Sequence, residues 1–232
     1  MSQRYFSEQP LQIGAEARLA DSEAHHFLHV MRGGVGDRVT LFDGTGREFE
    51  AEVVEKSRRD VTLALHAGQE VDREPAVELT LGVALPKGDR QKVLVEKLTE
   101  LGVARLVPLA TERSVAAPKA SGLEKLRRAV IEASKQCGRN RLMKIDEPVA
   151  LTEFLQETQA DARWIAHPYE SGQPQTLTGG TCAVAIGPEG GFSDQEVAAA
   201  TAAGWAGVSF GKSILRIETA AIAAAAIVTC GR

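Results

Sequence analysis

The sequence predicts an α/β protein in two parts, a small β-barrel or sandwich module over residues 1–72 and a larger α/β domain over 73–232. Three observations carry this reading. Between Gln12 and His66, apolar and polar residues alternate with the two-residue period of half-buried strands. From Glu78 onward, strand-like apolar runs alternate with helical patterns, the order that builds a mostly parallel sheet covered on both faces. Between the two, Gln69 to Ala76 is polar, contains Pro75 and has no period, which marks a linker.

In the first part, Arg38–Phe42, Glu48–Val54 and Asp60–Leu65 are the strand candidates, and Asp43-Gly44-Thr45-Gly46 supplies the turn residues of a hairpin. A short helix is expected over Ser22–Met31, stopped by Gly33-Gly34. In the second part the expected strands are Glu78–Leu85, Arg105–Leu109, Arg163–Ala166, Cys182–Ile186 and Gly207–Phe210. The expected helices are Asp89–Leu101, Gly122–Gln136, Thr152–Thr158, Asp194–Ala203 and Glu218–Thr229. Ser193 and Glu196 have the spacing of a capping box, and Gly102 and Gly204 stand where C-cap glycines belong. The last helix runs Ala220 to Val228 without a polar face, so it must be buried, inside its domain or in a subunit interface.

At 232 residues, 44% hydrophobic and 25% charged, the chain has the balance of an ordinary soluble protein and enough length for a proper core. Met1 to Pro10 lacks the apolar run of a signal peptide, and Ala220–Val228 is too short to span a bilayer. Cys137, Cys182 and Cys230 are odd in number and far apart, which argues against a disulfide framework or zinc site and for a reducing cytoplasm. Net charge is −4, but Ala84 to Ile145 holds fourteen Lys or Arg against six acids, a local +8 that leaves −12 for the remainder. Such asymmetry suggests a cationic face for a polyanion; solvated helix faces are the plainer explanation.

Two segments carry the chemistry. Ile186-Gly187-Pro188-Glu189-Gly190-Gly191-Phe192-Ser193 and Phe210-Gly211-Lys212-Ser213-Ile214-Leu215-Arg216-Ile217-Glu218-Thr219-Ala220 each follow an apolar strand and lead into a helix. Loops at the carboxyl ends of parallel strands are where open α/β sheets bind ligands. Neither segment is a phosphate loop: Gly211-Lys212-Ser213 imitates the end of one, but Ala206 occupies the position of its first glycine. His25, His26 and His29 lie among apolar neighbours and read as packing or RNA-contact residues in preference to metal ligands, and Cys182 reads as a buried strand residue.

With these segments in place the chain resembles the bacterial 16S rRNA uridine-N3 methyltransferases of the trefoil-knotted SPOUT class. The resemblance runs from His25-His26-Phe27-Leu28-His29-Val30-Met31-Arg32 through Lys87-Gly88-Asp89-Arg90, Lys97 to Val103 and Glu112-Arg113-Ser114. It continues through Glu132-Ala133 with Gln136 and Arg139, and ends in the two loop motifs. Leu126, Met143, Ser213 and Ile217 depart from the family pattern. The resemblance implies a PUA-like first domain, a knotted S-adenosylmethionine-dependent second domain, a homodimer, and 16S rRNA of the small ribosomal subunit as substrate, with no metal and no membrane.

The resemblance further implies cofactor binding by His167, Pro168, Ile186, Gly187, Pro188, Glu189, Gly190, Gly191, Gly211, Ile214, Leu215, Arg216 and Thr219. Arg216 is expected to stabilise negative charge on the uracil, with Glu218 orienting it, and Arg4, Arg32, Lys87, Arg90, Arg113 and Arg139 are the expected phosphate contacts. Two rivals stay open at this point: a non-catalytic RNA-binding knot protein, and a SPOUT ribose 2'-O-methyltransferase, against which Ile214-Leu215-Arg216 argues.

Overall fold

The computed structural model describes residues 3–114, 120–168 and 172–230. The chain divides into two units, Met1–Glu74 with Ser134–Leu142, and Pro75–Ala133 with Met143–Arg232. The return of residues 134–142 to the first unit is absent from the sequence reading. That stretch has no apolar period to announce it and is held by polar bonds. Arg139 forks onto Glu74 at 2.6 to 3.1 Å, Arg4 Nη2 donates to Asn140 Oδ1 at 2.6 Å, and Arg73 donates to the Gly138 carbonyl at 2.8 Å.

The first unit is a mixed sheet of β1 (Arg4–Phe6), β2 (Glu16–Leu19), β3 (Arg38–Phe42), β4 (Arg47–Lys56) and β5 (Val61–Glu70), in the order β1-β3-β4-β5-β2. Only the β1–β3 pair is parallel. The two-residue alternation does what it predicts: Phe49, Ala51 and Val53 of β4 and Val61, Leu63 and Leu65 of β5 turn into one core with Tyr5, Leu41 and Phe27. The strand β5 continues through Gln69 and Glu70 into the stretch expected to be linker, because it stays paired with Arg47 and Glu48 of β4 and Gln69 donates to Glu48 at 3.1 Å. Polar composition is no obstacle to a ladder whose side chains stay in water.

The helix expected over Ser22–Met31 comes in two pieces, α1 (Asp21–His25) and a π-helical turn at His26–Val30 in which the Met31 N–H donates to the His26 carbonyl at 3.0 Å. Just beyond it Arg32 takes a left-handed φ of 54°. Gly33 follows for a steric reason, since a Cβ there would lie 2.1 Å from the buried Phe27 ring.

The second unit is a seven-stranded sheet with every pair parallel. Its strands are β6 (Val77–Val83), β7 (Arg105–Ala110), β8 (Lys144–Ile145), β9 (Val149–Ala150), β10 (Ala162–Ala166), β11 (Gly180–Ile186) and β12 (Ala206–Val208). They run in the order β12-β10-β11-β6-β7-β8, with β9 also paired to β7. The helices are α2 (Arg90–Glu100), α3 (Ala120–Cys137), α4 (Leu151–Glu157), α5 (Asp194–Ala202) and α6 (Ile217–Cys230). On one face, Phe154 and Leu155 of α4 and Ala200 of α5 pack with Ala183, Ala185 and Trp205. The opposite face is covered by α6, which packs on α2, β6 and β11 and buries Ala221, Ala224, Ala225 and Val228. After the edge strand β12 the chain therefore returns to the middle of the sheet. Burial on both faces is why β6 and β11 read as continuous apolar runs.

Candidate functional site

A parallel sheet points all its strands the same way, so the segments that follow β6, β7, β10, β11 and β12 share one edge. Three of them, after β10, β11 and β12, enclose a cavity of about 390 Å³, within the range of ligand pockets. His167 and Pro168 enter from β10, Ile186 through Phe192 from β11, and Ser209, Phe210, Gly211, Ser213, Ile214 and Leu215 from β12. The His167 N–H donates to the Val208 carbonyl at 2.9 Å, which ties the first of these segments to the third.

The glycine-rich loop owes its shape to short contacts. The Gly191 N–H closes a turn onto the Pro188 carbonyl at 2.8 Å. Phe192 drops into the core below, and a Cβ on Gly187 would come 3.1 Å from its ring. The expected capping box then starts α5: Ser193 Oγ accepts from Glu196 N–H at 3.3 Å, and Glu196 Oε2 accepts from Ser193 N–H at 2.8 Å. Apolar walls from Ile186, Val208, Ile214, Leu215 and Ile217, with main-chain groups between them, suit a flat heterocycle on a sugar. Cys182, by contrast, lies inside the sheet, where burial pushes its thiol up to about 12 and leaves it without nucleophilic use.

Of the cofactor residues expected from the sequence, all but two line this cavity. Arg216 and Thr219 do not; both side chains are exposed beside it. Arg216 occupies the N-cap position of α6, where its carbonyl accepts from Ala220 N–H at 2.8 Å. Its guanidinium has no partner among the described residues. Glu218, in the first turn of α6, lies 3.6 Å from Arg90 Nη1, and the same Arg90 donates through Nη2 to Glu189 at 3.2 Å. One arginine at the first position of α2 thus ties the glycine-rich loop to the start of α6.

The expected phosphate contacts separate into three pairs. Arg4 is partly buried against Glu48 at 2.9 Å and Asn140, and Arg139 is buried against Glu74 at 2.6 Å, so both act as ties within the first unit. Arg90 is shared by two carboxylates, and Arg113 stands on the pocket wall. Arg32 and Lys87 remain exposed without partners among the described residues. The same holds for the basic segment as a whole: nine of its fourteen cations, Arg90, Lys92, Lys97, Arg105, Arg127, Arg128, Lys135, Arg139 and Arg141, pair with carboxylates, and Lys119 lies outside the described residues. Many of the acids come from the acidic remainder, so the asymmetry along the chain is largely cancelled in space.

Arg113 and Asp194 are pocket residues that the sequence reading did not place there. For Arg113 a signal existed: it follows a strand of the same parallel sheet and so reaches the same edge. His25 and His29 pack in a tilted pair with ring centroids 4.8 Å apart, and among the described residues no cluster of three or more His, Cys, Asp or Glu is placed to hold a metal. Nor is any described helix long and apolar enough to cross a membrane.

The fold and site define a class. Residues 73–229 match the family model of the RNA methyltransferase domain, and residues 19–65 that of the RNA methyltransferase PUA domain. The chain is 30% identical over 221 residues to the ribosomal RNA small subunit methyltransferase E of Synechocystis, covering 90% of this chain and 71% of that one. It is 30% identical over 220 residues to the enzyme of the same name from Rickettsia conorii, covering 89% and 86%. Among solved structures, the ribosomal RNA small subunit methyltransferase E of Neisseria gonorrhoeae bound to S-adenosyl methionine superposes with a TM-score of 0.90 at 29% identity, covering 97% of this chain and 96% of that one. A Legionella pneumophila methyltransferase structure in complex with SAM gives 0.90 at 32%, covering 98% and 96%. The chain belongs to the ribosomal RNA small subunit methyltransferase E family.

Proposed function

We propose that this protein transfers a methyl group from S-adenosylmethionine to N3 of a specific uridine in the 16S rRNA of the small ribosomal subunit, in the cytoplasm and as a homodimer. The observation that carries the reading is the cavity formed by the segments after β10, β11 and β12, in a chain whose relatives include structures with this cofactor bound. The residues fit the group. Ile186, Val208, Ile214 and Leu215 give apolar walls, and Gly187 to Gly191 let a ligand approach the main chain. Glu189, Asp194 and Arg113 supply charges for its amino-acid end. When bound, the cofactor supplies an electrophilic methyl group on a sulfonium.

The chain's own part is to bring the uracil to that methyl and to stabilise the anion left when N3 loses its proton. Arg216 is the candidate: it is exposed at the rim, free of carboxylates, and sits at the positive end of α6. Glu218, two residues further along the chain, is paired with Arg90 and is the candidate for orienting the base. N3 is on the pairing edge, so the target uridine must be unpaired or extruded when it reacts. The return of the chain from β12 to α6 is the passage at which we place the trefoil knot. The exposed Ile227 on α6 supports a dimer contact, and light scattering at micromolar concentration is expected to give twice the mass of one chain.

The test is nucleoside mass spectrometry of 16S rRNA from a deletion strain and from the same strain complemented. N3-methyluridine is expected to vanish and return. Loss of a 2'-O-methyl nucleoside, or no change, would overturn the assignment.

A further inference from the structure

We propose that Arg113 forms a carboxylate subsite of the pocket, taking the negatively charged end of the cofactor's methionyl part; this rests on the assignment of S-adenosylmethionine made above. Of the described residues lining the pocket, Arg113 is the only Arg or Lys, and it shares the wall with two acids, Glu189 and Asp194. The amino-acid end of the cofactor carries one carboxylate and one ammonium at neutral pH. A wall with one guanidinium and two carboxylates has an opposite charge for each.

The guanidinium is held before any ligand arrives. Its Nη1 donates to the Gly190 carbonyl at 2.9 Å and to the Phe192 carbonyl at 3.4 Å. The aliphatic stem crosses Gly190, where a Cβ would lie 3.4 Å from Arg113 Cδ and 3.5 Å from its Cβ. The turn carrying Arg113 is itself fastened: Thr111 N–H donates to Ser114 Oγ at 2.9 Å, and Glu112 N–H donates to Glu196 Oε1 at 2.9 Å. One nitrogen is spent on the loop, and the remaining N–H donors keep the planar fork that suits a carboxylate. Because the rotamer is already fixed, less side-chain entropy is lost on binding.

The other cations nearby do not serve. Arg90 is engaged by Glu189 and Glu218, while Lys212 and Arg216 do not line the cavity. An arginine read from the sequence as a phosphate contact is thereby reassigned to the cofactor.

Calorimetry on the full chain with two ligands tests this. S-adenosylhomocysteine carries the amino-acid end; 5'-methylthioadenosine keeps the adenosine and sulfur and lacks it. Arg113→Ala is expected to weaken S-adenosylhomocysteine about tenfold, the loss of a charge-assisted hydrogen bond at an open site, and to leave methylthioadenosine within about twofold. Arg113→Lys, which keeps the charge without the fork, is expected to fall between. Equal weakening of both ligands would assign Arg113 to holding the loop alone, and unchanged binding of both would remove it from the site; either result overturns the proposal. If the unsubstituted chain fails to bind S-adenosylhomocysteine, the cofactor assignment itself falls, so the two failures are distinguishable.

Discussion

Glu48 shows what a single partly buried charge contributes to this protein. Burial alone would push its carboxyl up, but hydrogen bonds from Arg4, Arg73, Asn140 and Gln69 outweigh it and hold the group at about 2, against an ordinary 4.5. A depressed folded value means that the stabilisation is complete above the unfolded value and is lost as pH falls from about 4.5 through about 2. The difference corresponds to about 3 kcal/mol, with the side chain only 13% exposed. Acid titration of thermal stability should therefore show a fall across that window, and Glu48→Gln should flatten it while lowering stability at pH 7. At the other end of the residue scale, Arg216 has no structural partner to lose. Arg216→Ala is expected to reduce single-turnover methyl transfer at least about a hundredfold while leaving cofactor affinity within a few-fold. Normal turnover in that variant would remove Arg216 from the chemistry.

Among the elements, the cap signals were readable and the helix irregularity was not. The Ser193–Glu196 box starts α5, and Gly102 and Gly204 take left-handed φ values of 79° and 81° just after α2 and α5, because such motifs act over three or four residues. The π-helical turn at His26–Val30 depends on something farther away, the seating of Phe27 in the core of the first unit and its ring over Gly33. No periodicity encodes that. Gly33→Ala forces a methyl group into the Phe27 ring and should cost about 1 to 3 kcal/mol, the range for overpacking, seen as a lower urea midpoint with unchanged slope. An unchanged midpoint would mean that the turn relaxes freely. Strand β5 makes the same point in reverse, since polar Gln69 and Glu70 remain in the ladder through backbone pairing that composition does not report.

Across the whole molecule the decisive quantity is how much of the positive charge is free. Nine cations of the basic segment are matched by carboxylates, and of its described residues only Lys87, Arg113, Lys125 and Lys144 remain without one. With about three phosphates neutralised, log affinity for RNA should fall against log salt with a slope of about −2 to −3. Arg32→Ala should lower that slope by about one, whereas Arg139→Ala should lower stability and leave it unchanged. A slope steeper than about −4 would show that the paired cations open toward RNA.

The sequence by itself determined the class of fold, most strand and helix positions, the two loops that form the pocket, and most of the residues on its walls. These depend on apolar period, on glycine and proline in short motifs, and on the rule that parallel strands present their carboxyl ends together. Only the tertiary structure decided which charges are available. Arg139 meets Glu74 across 65 residues, Arg4 meets Asn140 across 136, and Arg113 meets Gly190 across 77. An arginine written in sequence is the same letter whether its guanidinium faces phosphate, a buried carboxylate or a cofactor. Its role is set by the groups that folding brings to within hydrogen-bonding distance, and that distance is a property of the packed chain alone.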